Sequence, residues 1–158
     1  MPKPLAYIET TVPNFYYDMR PEVAIIERRL WTREWWESAA ARYELVTSTA
    51  VVEELGRGTS EYVPLRLELV RHLPTLQVTP EVIEVVDTYI RRKLMPGGRN
   101  GDAYHLELAS CYRFDLIVTW NCRHLANPNK FAHVRYVNRL LGLPVPEIVT
   151  PLDLLRRT

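Results

Sequence analysis

Residues 5–14 read LAYIETTVPN, a short apolar run with an acidic end, and this stretch decides the fold class. The run from Leu5 to Ile8 fits a buried strand, and Glu9 follows it directly. The turn residues Pro13 and Asn14 then predict that the chain reverses. An acidic side chain is therefore expected at the carboxyl end of the first strand.

The rest of the chain repeats the order of a buried strand followed by a helix. Further strands are predicted at residues 45–47, 76–78, 116–118 and 148–149. Apolar periodicity, caps and prolines predict a helix or helix pair from Pro21 to about Arg42. They also predict helices after Ser48 to Gly56, from Thr79 to near Met95, from Asp102 onward, and from about Lys130 to Leu141. Because parallel strands need helical crossovers, this alternation predicts a three-layer α/β/α fold. Its central, mostly parallel sheet has about four to five strands.

Composition limits the class of protein. At 158 residues and 47% hydrophobic content, one domain covering residues 1–158 is expected. A formal net charge of +1 neither requires nor excludes a nucleic-acid partner. Cys111 and Cys122 form no Cys-x-x-Cys motif, and neither a secretory leader nor a membrane-length apolar run is found. We therefore expect a soluble, reduced, cytoplasmic protein with no membrane partner.

Acidic and amide side chains fall where a parallel sheet binds ligands, at the carboxyl ends of its strands. Glu9 and Asn121 each follow a predicted strand, and Glu54 and Asp102 lie on helices that begin on the same side. Four oxygen ligands would converge there, and hard divalent cations prefer such oxygens. By contrast, the sequence has neither a phosphate-binding loop nor an aspartyl-nucleophile motif, and Cys122 has no obvious histidine partner, which argues against nucleotide enzymes, phosphatases and cysteine hydrolases.

Four segments in order resemble the motifs of the PIN-domain family: residues 8–12 (IETTV), Glu54, Asp102-Ala103, and residues 118–121 (VTWN). The resemblance spans nearly the whole chain and is closest to the VapC-type toxins of type II toxin–antitoxin systems, down to a last strand at residues 148–151 and the ending Leu152-Asp153-Leu154-Leu155. It implies a PIN-like fold and an endoribonuclease that hydrolyses RNA phosphodiester bonds with Mg²⁺ or Mn²⁺. It also implies a cognate antitoxin and a homodimer.

The resemblance also implies roles for the residues. Glu9 and Asp102 would hold the principal metal, with Glu54 completing its outer shell or a second site. Thr119 would orient the cluster through its hydroxyl, and Asn121 would bind metal through its amide oxygen or position water. The sequence departs from the usual family pattern at three positions: Glu9 replaces the usual Asp, Thr11 the usual Asn, and Asn121 the usual Asp. These departures motivate an alternative, a catalytically weak or inactive PIN-like module that binds RNA or a protein partner.

Several residues have simpler interpretations. Glu53 competes with Glu54 for the position facing the sheet; Asp102 also suits a helix N-terminus, and Asn121 suits a turn. His105 lies one helical turn after Asp102 and is expected to be structural, although a metal or proton-shuttle role is conceivable.

The sequence also offers candidates for contacts with RNA and with protein partners. Trp120 is a candidate for stacking an RNA base, and Arg99, Arg123, His124 and Lys130 are candidates for phosphate contacts, each against the alternative of a solvated surface position. Trp31, Trp35 and Trp36 suit the core or a partner interface.

Overall fold

The structure is a computed structural model that describes residues 2–91, 102–121 and 128–157, apart from the side chains of residues 89, 90, 102, 103 and 128–131. Cys122, Arg123 and His124, Arg99 and the predicted helix end near Met95 lie outside the described residues. Within the described part, no helix is long and apolar enough to cross a membrane.

A five-stranded sheet forms the centre of the fold, with the strand order β3-β2-β1-β4-β5 and every pairing parallel. Its strands are β1 (Leu5–Ile8), β2 (Glu44–Ser48), β3 (Thr75–Leu76), β4 (Leu116–Val118) and β5 (Glu147–Val149). In the central strand β1, Ala6, Tyr7 and Ile8 are fully buried, as expected for a parallel strand that is covered on both faces. The third strand lies one residue earlier than predicted and is shorter.

The described residues contain helices on both sides of this sheet. They are α1 (Thr11–Tyr16), α2 (Val23–Arg42), α3 (Thr49–Gly56), α4 (Val63–Arg71), α5 (Pro80–Arg91), α6 (Asp102–Cys111), α7 (Pro128–Leu141) and α8 (Pro151–Leu155). The sequence predicted five of them, α2, α3, α5, α6 and α7, with starts within about two residues.

Two apolar layers pack against the two faces of the sheet. Tyr7 belongs to the layer formed with α3, α5, α6 and α7, whereas its neighbours Ala6 and Ile8 belong to the layer formed with α1, α2 and α8. This change of side at each residue follows from the period of two along a strand. The predicted three-layer α/β/α architecture with a parallel sheet is confirmed.

Two predictions about local structure were wrong, and helix α4 was missed. The segment with Pro13 and Asn14 is not a turn but helix α1, which tolerates Pro13 because a proline in the first helical turn removes only an N–H that has no helical partner. Helix α2 begins at Val23, after Glu22 in the N-cap position, and not at Pro21. Helix α4 was not predicted at all, although its Pro64 lies in the first turn.

Candidate metal centre

The first acidic residue of the candidate site lies between the two central strands. Glu9 follows β1, and its backbone N–H donates to the carbonyl of Val118 at 3.2 Å, so the backbone of Glu9 extends the ladder between β1 and β4. The residue is only 2% exposed. A buried carboxylate is costly unless it is paired, so its hydrogen bonds decide whether it is tolerated without a cation.

One oxygen of Glu9 accepts every hydrogen bond that the carboxylate makes. Oε1 accepts from the hydroxyl of Thr119 at 2.6 Å, from the backbone N–H of Thr11 at 3.0 Å, and from the hydroxyl of Thr11. Among the described residues, Oε2 has no hydrogen-bond partner. One half of the carboxylate is thus fixed in orientation, and the other half is available to a cation.

Two departures from the family pattern, Glu9 and Thr11, are in direct contact. Glutamate is one carbon longer than aspartate, and here the extra length allows Oε1 to turn back onto the N–H and hydroxyl of Thr11. Thr11 in turn accepts from the backbone N–H of Trp120 at 2.8 Å. The two substitutions therefore form one hydrogen-bonded unit.

Helix α3 supplies the second acidic residue. Ser48 caps this helix, since its hydroxyl accepts from the N–H of Val51 at 3.3 Å. The side chain of Glu54 is 21% exposed and lies toward the cluster, whereas that of Glu53 is 63% exposed and pairs at the surface with Arg57 at 3.9 Å. The structure thus places Glu54, and not Glu53, at the site.

His105 on α6 is the third member of the cluster, and the sequence analysis assigned it a structural role. It is fully buried, and its Nε2 lies 2.8 Å from Oε1 of Glu54. The potential ligand atoms of Glu9, Glu54 and His105 all lie within 4.8 Å of one another. The expected structural role is therefore incomplete, because the histidine is satisfied by hydrogen bonds and also belongs to the acidic cluster.

The ring of His105 is connected to a buried chain of hydroxyl groups. Its Nδ1 lies 2.7 Å from the hydroxyl of Tyr7, which lies 2.7 Å from the hydroxyl of Ser48. Burial, with the charges of Glu9 and Glu54, raises the pKa of Tyr7 well above its usual value despite the hydrogen bond from Ser48, so the phenol keeps its proton.

Two proton arrangements satisfy this chain. In one, Ser48 donates to Tyr7, Tyr7 donates to Nδ1, and Nε2–H of His105 donates to Glu54. In the other, Nδ1–H donates to Tyr7 and Tyr7 donates to Ser48, so that the lone pair of Nε2 faces the cluster and requires a cation between it and the carboxylate of Glu54. The second arrangement is that of a metal-binding histidine whose other ring nitrogen is held by an oxygen.

The carboxyl of Glu54 is ionised near neutral pH. Burial alone would raise its pKa, but the hydrogen bond and positive charge of His105, together with Thr10 and Arg57, outweigh that effect and lower the pKa below its usual value. A lowered pKa keeps the carboxylate deprotonated, which is the form that binds metal.

The remaining predicted members surround this cluster. Thr119 is fully buried, and its hydroxyl also accepts from the N–H of Asn121 at 2.9 Å. Asp102 is the first residue of α6, one turn before His105, and its side chain lies outside the described part. Two carboxylates and an imidazole within 4.8 Å, with one carboxylate oxygen unpartnered, fit a divalent cation.

Trp120, the candidate for stacking an RNA base, is buried next to α2. Trp120 is 5% exposed; its indole N–H donates to the hydroxyl of Thr32 at 2.7 Å, and its ring stacks on that of Trp31 at 6.2 Å. The guanidinium of Arg28 lies 5.3 Å from the centre of the Trp120 ring. This burial contradicts the prediction that Trp120 stacks an RNA base.

The basic candidates and the other tryptophans can be placed only in part. Lys130 lies in α7, but its side chain, like the whole of Arg99 and Arg123, lies outside the described part. Trp35 is 2% exposed and belongs to the core layer that includes α2.

Comparison with known proteins supports the architecture. No protein-family model matches the sequence, and no curated protein matches it. A chain of the crystal structure of VapBC2 from Rickettsia felis, bound to a DNA fragment from their promoter, superposes on it with a TM-score of 0.57. The match covers 92% of this chain and 98% of the other, at 13% identity. At this identity the likeness concerns the fold alone, and that fold is PIN-like.

Proposed function

We propose that this chain is a metal-dependent endoribonuclease and the toxin of a toxin–antitoxin pair. The observation that carries the proposal is the arrangement of Glu9, Glu54 and His105 at the carboxyl ends of β1 and β4, where Oε2 of Glu9 has no hydrogen-bond partner in the described part. The PIN-like fold supports it, since a solved structure with a similar fold is that of a VapBC2 complex.

Each side chain has a defined task in this proposal. Glu9, Glu54 and Asp102 hold Mg²⁺ or Mn²⁺, and the hydroxyl of Thr119 keeps the carboxylate of Glu9 in orientation. Asn121 binds the metal through its amide oxygen or positions water. A bound divalent cation supplies Lewis-acid chemistry, because it activates water for attack and offsets the negative charge that develops on the phosphate.

His105 adds an element that the family resemblance did not imply. With its Nδ1 held by the hydroxyl of Tyr7, its Nε2 either donates to Glu54 or accepts a cation. An imidazole nitrogen is a better ligand for Mn²⁺ than for Mg²⁺, which prefers oxygen. We therefore expect the protein to bind Mn²⁺ more tightly than Mg²⁺.

The proposed protein partners are a cognate antitoxin, which covers the acidic cluster in the cytoplasm, and a second copy of this chain. Exposed apolar side chains support such partners: Val23 and Leu30 on α2 are 70% and 56% exposed, and Tyr136 and Leu140 on α7 are 50% and 55% exposed. The alternative, an inactive RNA-binding or protein-binding module, is favoured by one observation, the hydrogen bond of His105 that satisfies Glu54 without a cation.

Two adjacent glutamates on α3 give a matched test. Purified wild type, Glu54→Gln and Glu53→Gln are incubated with a mixed RNA pool in Mn²⁺, Mg²⁺ or EDTA. We expect metal-dependent cleavage that falls at least about 100-fold in Glu54→Gln, because a ligand is lost, and that is unchanged in Glu53→Gln. Equal cleavage by the two variants would refute the site, and metal binding without cleavage by wild type would favour the inactive module.

A further inference from the structure

A cavity of about 550 Å³ opens beside the acidic cluster. Its walls come from the segment between α1 and α2, the end of α3, and α4. Glu54 belongs both to the cluster and to the wall of this cavity. A ligand in the cavity would therefore lie next to the proposed metal, and a volume of this size suits a small organic group.

Two arginines, Arg20 and Arg66, lie on the described wall of the cavity, and they differ in how their donors are used. Asp18 is neutralised by Arg20, whose Nε and Nη2 donate to the carboxylate at 2.9 and 2.6 Å. The hydrogen bond from Arg20 lowers the pKa of Asp18, and the nearby charge of Arg66 contributes to the same shift. In contrast, the Nε of Arg66 is buried and has no hydrogen-bond partner among the described residues.

Arg66 lines the cavity, and a guanidinium with an unpartnered N–H there suits an anionic ligand, because such an N–H is costly. Tyr62 is the N-cap residue of α4, Arg66 lies one helical turn after it, and both side chains line the cavity. Tyr17 lines the cavity from the segment before α2. Aromatic rings next to an arginine form the combination that holds single-stranded nucleic acid, with bases on the rings and phosphate on the cation.

We propose that this cavity binds one nucleotide of the RNA next to the scissile phosphate, with Arg66 on a phosphate and Tyr62 against the base. The inference rests on the proposed ribonuclease function and deepens it by naming a substrate subsite. Because every base has a flat face, stacking at this subsite discriminates little among bases. The subsite sets where the strand lies relative to Glu54 and contributes mainly to RNA affinity.

The first test compares two arginines of α4. Arg71 pairs with Glu68 at 3.4 Å on the surface and lies outside the cavity. Binding of a fluorescent single-stranded RNA is measured in EDTA, which prevents cleavage, over a range of salt concentrations. We expect Arg66→Ala to bind about tenfold more weakly and its salt dependence to lose about 0.7 from the logarithmic slope, as for one lost phosphate contact. Arg71→Ala should match wild type.

The second test changes the RNA, first with the wild-type protein and then with Tyr62→Leu. Abasic nucleotides are placed singly at each position near the mapped cleavage site. At one position the loss of the base should weaken binding at least about fivefold, and there Tyr62→Leu should cause no additional loss. Additive losses at every position would refute the contact between Tyr62 and a base.

The outcomes separate this inference from the proposed function. If wild type cleaves RNA with metal while Arg66→Ala and Arg71→Ala bind RNA equally, the subsite is refuted and the nuclease proposal stands. If wild type neither binds nor cleaves RNA, both proposals fail. If a poly-glutamate peptide binds in an Arg66-dependent manner and RNA does not, the cavity is a site for an acidic protein segment and the subsite proposal is overturned.

Discussion

The burial of Glu107 predicts that the free energy of unfolding depends on pH. The side chain lies on α6, is fully buried, and has an Oε1 without a hydrogen-bond partner in the described residues. Within the described part of the chain, the donor nearest its carboxylate is the thiol of Cys111, whose sulfur lies 3.9 Å from Oε2. Burial raises the pKa of Glu107 from its ordinary value of 4.5 to about 9, despite the weak hydrogen bond from Cys111.

This raised pKa destabilises the fold as the pH increases. At pH values between 4.5 and about 9, the unfolded chain releases the proton of Glu107 while the folded chain keeps it. Protonated Glu107 makes its full contribution to stability at pH values below its pKa in the unfolded chain. This contribution is lost as the pH rises to the pKa that Glu107 has in the folded chain. The slope is about 1.4 kcal/mol per pH unit, or about 4 kcal/mol from about pH 5 to about pH 8. This is a large fraction of the roughly 5–15 kcal/mol that stabilises most domains.

The assay is urea denaturation of wild type and Glu107→Gln across this pH range. The variant cannot ionise at this position, so the difference between the two free energies of unfolding should change by about 4 kcal/mol in favour of the variant as the pH rises. Replacement of the exposed Glu61 by Gln should leave the wild-type profile unchanged. Parallel profiles for wild type and Glu107→Gln would mean that the folded protein holds Glu107 ionised, and the reasoning from burial would be wrong.

Three further predictions follow from the hydrogen bonds near the cluster. Thr119→Val removes the hydroxyl that donates to Glu9, so calorimetry should show Mn²⁺ affinity reduced about tenfold, and unchanged affinity would contradict its orienting role. Trp120→Phe removes the bond to Thr32 and should cost about 1–3 kcal/mol in urea denaturation while RNA affinity stays the same; a loss of RNA affinity in a stable variant would restore a base-stacking role. Ser48→Ala removes the cap of α3 and a partner of Tyr7 and should lower stability by about 1–2 kcal/mol, whereas Thr59→Ala at an exposed position should not.

Local signals explain why the sequence predicted most of the sheet. β1 and β4 are continuous apolar runs between turn residues, and a buried parallel strand requires no other information. β3 has only two residues and weak burial, so its position was shifted by one. Helix α8 shows how a short helix is overlooked: Thr150 and Asp153 form a capping box that the sequence displays, but five residues give too few turns for a periodic pattern.

The sequence predicted the position of Glu9, which depends on a strand end, and it did not predict contacts that depend on tertiary packing. Glu9 lies at the rim because a parallel sheet binds ligands at the carboxyl ends of its strands. His105 contacts Glu54, which lies 51 positions away in the sequence. The sequence pointed to His105 only through its position one helical turn after Asp102. Likewise, the indole of Trp120 is covered because Thr32, 88 positions away, lies on a helix that packs over it.

The strand order has a consequence for how the protein is made. β1 is complete after residue 8, but its second neighbour β4 begins at Leu116, and His105 and Thr119 also come from this late part of the chain. During synthesis at about 5–20 residues per second, the nascent chain therefore carries an unpaired edge of β1 and an incomplete acidic cluster for several seconds. The cluster is therefore incomplete until Thr119 has been synthesised, and a chain that stops earlier exposes an aggregation-prone edge of β1.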